Sequence, residues 1–146
     1  MKAKFLSVLL ALTMVLSLLP TAVLAKDKTV STEEELKQAI ESVSDGDTIT
    51  VSGTIEVNAP LVVTHTITLT GGSIVASNNF TSNSNQLADF NLISLKTAGK
   101  TLTLKNITLN ANGKSLVVYC NAGKVVVDGA TITGGKTSSY VAGVYM

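Results

Sequence analysis

The chain has 146 residues, with 11 Lys and no Arg against 10 Asp plus Glu, a formal net charge of +1. That balance gives no electrostatic reason to expect nucleic acid or an anionic membrane surface as partner. One His, one Cys and no Trp leave few of the side chains that usually carry catalysis.

Lys2 and Lys4 make a basic start, residues 5–19 an apolar run, and Val23-Leu24-Ala25 a small-residue cleavage signal. Residues 1–25 are therefore expected to be a signal peptide, and the product to be secreted or held at the cell surface. The apolar run of 15 residues is too short for an ordinary membrane span. No second such stretch follows, and no Cys sits where a lipoprotein anchor would need one. The 121 residues from Lys26 onward suffice for one domain with its own core. They hold 9 Lys against 10 acids, and their 17 Thr and 10 Asn are a strand-and-turn vocabulary.

Ser31-Thr32-Glu33-Glu34-Glu35 predicts a helix start, because Ser31 or Thr32 can cap, a Glu lies three residues on in either register, and acids suit the positive helix end. Leu36, Ile40 and Val43 share one helical face, and Ser44-Asp45-Gly46 stops a helix expected over 31–44. From Thr48 the period changes to two: Ile49 and Val51, Ile55 and Val57, Ile67 and Leu69, each pair predicting a strand of about four residues.

Leu102-Thr-Leu104-Lys-Asn106-Ile107-Thr-Leu109 then lines up with Val125-Val-Val127-Asp-Gly129-Ala130-Thr-Ile132 at a shift of 23. An earlier copy, Ile67-Thr-Leu69-Thr-Gly71-Gly72-Ser-Ile74, lies 35 residues before the second, the extra length falling in residues 76–91, a Ser- and Asn-rich loop. Short strands repeating at about this period cannot bury an apolar face alone, so the copies are expected to stack. Gly71, Asn106 and Gly129 share one offset, and Gly and Asn best tolerate a left-handed backbone at a corner. The stretch from Val51 to Ile55 is out of phase with these copies. A meandering antiparallel sandwich is the alternative fold.

With its capping helix, the following Gly46-Asp47-Thr48-Ile49 and its coils with Asn or Gly corners, the chain from Val30 onward resembles the right-handed parallel β-helix proteins of the pectate-lyase-like kind. The resemblance implies an all-β solenoid over residues 26–146, with coils from about residue 48 and an N-terminal capping α-helix. Three to five coils can be counted. The run from Tyr140 to Met146 ends inside what reads as a strand, so missing C-terminal coils or a partner subunit are expected to close the stack. For a lyase of this group the resemblance implies clustered Asp residues holding calcium and a basic residue acting as base. Here Arg is absent, and Glu56, Asp89 and Asp128 are scattered.

The remaining candidates are weak in the sequence. Asp45-Gly-Asp47 suggests calcium, or a plain turn. His65 lacks a local partner and reads as an exposed or turn residue, and Cys120 as a small buried apolar side chain. Thr-x-Thr pairs suggest an ice-binding surface, but few hold one offset. Ala130 to Thr137 comes close to a nucleotide-binding P-loop, yet no helical period follows, so no nucleotide is expected. Lys100 and Lys124 are expected to form a small basic row, and Tyr119 and Tyr140 to face solvent, as contacts for a polysaccharide or host glycan. The expected role is a non-catalytic adhesion or carbohydrate-contact module. The alternative is the N-terminal part of a polysaccharide-degrading enzyme, a lyase or glycoside hydrolase, with its active site beyond residue 146.

Overall fold

The structure, a computed structural model, describes residues 25–83, 85–136 and 143–146. The expected leader, except Ala25, lies outside them. Among the described residues the fold is mostly β, with two parallel sheets and one helix of three turns. Strand β1 (Asp27–Val30) leads into helix α1 (Glu33–Ser42), and then the chain alternates between the sheets. One sheet holds β1, β2 (Asp47–Val57), β4 (Ile67–Ala76), β6 (Thr101–Asn110), β8 (Lys124–Asp128) and β9 (Thr131–Thr133). The other holds β3 (Leu61–Val63), β5 (Asn91–Leu95), β7 (Leu116–Cys120) and β10 (Val144–Tyr145). These are called sheets A and B. All strand ladders are parallel, which excludes the antiparallel meander.

Helix α1 forms where its cap says it should. Thr32 is the N-cap, its hydroxyl accepting from the Glu35 amide at 3.2 Å. The Glu35 carboxylate accepts from the Ser31 amide at 2.7 Å, closing a reciprocal pair one residue further out than the usual capping box. Leu36, Ala39 and Ile40 are buried, and the helix packs against β1, β2 and β3, covering one end of the sheets. Extended backbone at Val43 ends it.

Within sheet A the apolar residues of the repeat stack in register. One row runs Ile49, Leu69, Leu104, Val127, and another Ile55, Ile74, Leu109, Ile132. All but the β8 and β9 members are fully buried, while Val127 on the last strand is 50% exposed. Fully burying one Leu or Ile contributes about 1.5–3 kcal/mol, so these rows are the main stabilising feature of sheet A.

Strands β2, β4 and β6 of sheet A are longer than the four residues expected, because pairing continues across the corner instead of stopping at it. The corner is Gly71 at φ 79°, Asn106 at φ 47° and Gly129 at φ 68°. At Gly129 the left-handed backbone itself favours glycine, and a Cβ there would also displace the Asn106 side-chain oxygen. Only at Gly129 does the strand divide, giving β8 and β9. The phase slip of the first copy is one extra residue in β2, taken up as a bulge between Val51 and Thr54 opposite Gly71 and Ser73.

The long connection from β4 to β5 folds back on the body. The Ser77 hydroxyl donates to Asn58 Oδ1 at 2.6 Å, the Thr81 amide donates to the Asn58 carbonyl at 3.0 Å, and Phe80 is buried. A short 3-10 turn at Leu87–Asp89 was not expected from the sequence. Every residue of β5 and β7 is buried, whereas β3 alternates buried, exposed, buried. Successive strand residues face opposite sides, so both faces of sheet B are covered at β5 and β7.

Candidate functional site

Tyr119 stands on β7 beside Tyr145 on β10, and the parallel register sets one ring over the other. Their centroids are 5.5 Å apart and their planes 7° from parallel. A stacked pair of this kind adds about 0.5–1.5 kcal/mol beyond area burial. Tyr119 is only 7% exposed, which corrects the expectation that it faces solvent. Tyr140 lies outside the described residues. The sequence signal for the pair was the repeated Val-Tyr of Val118-Tyr119 and Val144-Tyr145, which the shift of 23 does not align.

Lys100 and Lys124 do not form the expected free basic row. Lys124 is paired with Thr101, one position off, and its amide donates to the Lys100 carbonyl at 2.9 Å. The Lys100 ammonium instead donates to Asp45 Oδ2 at 2.6 Å, tying the third pass of sheet A back to the turn after α1. That carboxylate also accepts from the Thr66 amide at 2.8 Å, and the two donors hold its pKa below the usual carboxylate range.

Asp47 is likewise a structural acceptor. Its two oxygens take the Lys26 amide at 2.8 Å and the Ser44 amide at 2.9 Å, and these bonds lower its pKa. The Asp45-Gly46-Asp47 turn therefore uses its oxygens to hold the chain between α1 and β2, with Gly46 at φ 96°. Among the described residues no group of three His, Cys, Asp or Glu side chains could hold a metal ion. Asp89 pairs with Lys96 at 2.7 Å, while Glu56 and Asp128 are exposed on strands of sheet A. His65 sits in the bend between β3 and β4, its Nδ1 3.1 Å from the Thr64 hydroxyl. Cys120 is buried and free.

The P-loop-like stretch is strand and turn. Thr131–Thr133 is β9, Gly134 has φ 66°, and its carbonyl accepts from the Gly113 amide at 2.7 Å. Residues 137–142, directly after Lys136, lie outside the described residues.

The threonines hold one register, contrary to expectation. On the outward side of sheet A, Thr48, Thr68 and Thr103 lie side by side on β2, β4 and β6. Two positions along, Thr29, Thr50 and Thr70 lie side by side on β1, β2 and β4. The unequal connections before and after β4 hid these rows in the sequence. Charge enters the rows only at their ends, with Asp27 beside Thr48 and Lys105 beside Thr70.

Among the described residues no helix is long and apolar enough to cross a membrane. No family model, curated protein or solved structure matches the chain.

Proposed function

We propose that the chain is an exported, right-handed parallel β-helix of four coils that works at or beyond the cell surface as a non-catalytic module contacting polysaccharide or host glycan. The observation that carries the reading is the alternation of the chain from β2 onward between two parallel sheets, with β8 and β9 as one pass of sheet A divided at Gly129, each pass paired with the one before it in its sheet. A chain that winds once through both sheets per repeat produces that order, and α1 caps its first coil. The non-catalytic part rests on how the ionisable groups are used. Asp45, Asp47, Asp89 and Lys100 are spent on ion pairs and on backbone amides rather than gathered around a common point.

With Tyr119 buried and Lys100 paired, the contact surface moves to the connection between β4 and β5. Asn78, Asn79 and Asn83 are exposed there, on a segment anchored through Ser77 and Phe80. Exposed amides both donate and accept, which suits sugar hydroxyls. Export rests on the sequence of residues 1–25.

A glycan array probed with the exported chain tests this. Binding that falls when Asn78 and Asn79 are replaced by alanine supports it, and no binding to any glycan removes the carbohydrate role. The same strand order also serves the N-terminal part of a polysaccharide-degrading enzyme. That reading requires an Asp cluster and a basic residue in sequence following residue 146, and it fails where such sequence lacks them.

A further inference from the structure

We propose that the outward face of sheet A binds ice through the two threonine rows. The chemistry starts from one side chain. Thr is β-branched and stiff about its first torsion, so on a strand its hydroxyl and methyl are held in place without further ordering cost. In a parallel ladder the same side chain recurs at the strand spacing of about 4.8 Å, and along one strand every second residue, about 6.6 Å. Thr48, Thr68 and Thr103 form one such row, and Thr29, Thr50 and Thr70 the next. Thr29 is exposed and the other five are half-buried, as outward side chains of a closely spaced sheet are.

The surface is thus a small two-dimensional lattice of groups that each donate and accept one kind of hydrogen bond, with methyl groups between them. A single exposed hydroxyl exchanges one water for another and gains almost nothing. Gain comes only when many sites are met at once by a partner that repeats with the same two periods, so that every contact after the first is effectively intramolecular. A dissolved glycan follows one row at most, whereas a crystal face meets both.

The electrostatics select among crystals. Between Asp27 and Lys105 the rows are uncharged, so the complementary partner is neutral. Described aromatic pairs occur on sheet B only, so the rows contain no ring on which the apolar face of a packed sugar could stack. What remains complementary is a neutral lattice made of O–H groups alone, which is frozen water.

The test is partition of the exported chain between a slowly growing ice front and the surrounding buffer, compared with a non-binding protein of similar size. The chain is expected to enrich in the ice. Thr68→Tyr places a ring in the middle of one row and should lower the enrichment at least about tenfold, the scale for a residue at the centre of a contact. Thr29→Tyr, on the exposed edge strand, should lower it as well and serves if Thr68→Tyr fails to fold by circular dichroism. Thr131→Tyr, exposed on β9 outside both rows, should leave it unchanged. Exclusion of the unmodified chain from ice overturns the proposal. So does undiminished enrichment in folded Thr68→Tyr and Thr29→Tyr, or retention on crystalline cellulose or chitin without enrichment in ice.

Discussion

Replacing Gly72 by alanine tests the contact that lets β2 and β4 stack at their corners. Gly72 lies outside the left-handed region, so an alanine is not opposed by backbone conformation there. It is opposed by space: the added Cβ would overlap the Gly53 carbonyl oxygen and stand 2.9 Å from the Val51 carbonyl oxygen and 3.0 Å from Val51 Cγ1. Two of these three neighbours are backbone atoms in a paired strand and cannot rotate away. Overpacking of this kind costs about 1–3 kcal/mol, and rigid neighbours put Gly72→Ala near about 3 kcal/mol. For a domain of this size that lowers the melting temperature by about 10 °C. Gly53→Ala is the control, because its Cβ would meet nothing within 4 Å and only the left-handed φ of 73° opposes it. That conformation costs about 1 kcal/mol, or about 4 °C. Thermal unfolding followed by circular dichroism separates the two. A Gly72→Ala protein melting within about 2 °C of the unmodified chain, or melting above Gly53→Ala, would refute the stacked-corner geometry.

Asn106, at φ 47°, should tolerate glycine with little change and lose about 1 kcal/mol as alanine, read from thermal melts of both variants. Asp45 and Asp47 carry lowered pKa values, Asp45 through Lys100 and the Thr66 amide, Asp47 through the Lys26 and Ser44 amides. The folded state then binds their protons less readily than the unfolded chain. Their contribution is complete above the ordinary carboxylate value of about 3.9 and is lost as the pH falls below it. Melting temperature plotted against pH should drop in that range, and less steeply in Asp45→Asn combined with Asp47→Asn. The Cys120 thiol is 3% exposed, so a thiol reagent should react slowly in native buffer and rapidly in denaturant, and fast native reaction would contradict its burial.

The parts of the fold written in local pattern were legible. The cap residues Thr32 and Glu35 and the face of Leu36 and Ile40 follow from spacing within one helix turn. The rows from Leu102 to Leu109 and from Val125 to Ile132 follow from period-two alternation with a corner residue between. Sheet B was not legible for a physical reason: the segments Asn91–Leu95 and Leu116–Cys120 are covered on both faces and carry no alternation. The threonine rows were hidden because the residue added in β2 and the long connection after β4 make the sequence shifts unequal while the strands stay in register. The Lys100 to Asp45 pair joins residues 55 apart, and Tyr119 is shielded by a ring 26 residues on, so neither could be seen from neighbours in sequence.

The order of the strands in sheet A also fixes how the molecule comes apart. Each strand of sheet A is hydrogen-bonded only to the strands on either side, so opening at one place severs a ladder while distant ladders stay paired. At one end α1 buries Leu36 and Ile40 against the sheets; at the other, among the described residues, β8 and β9 carry mostly exposed side chains and pair on one side, with β6. Unravelling therefore starts at β8 and β9 and runs toward β2, and amide protons should trade with solvent in that sequence. The helix-covered end acts as the anchor from which a refolding chain regrows strand by strand.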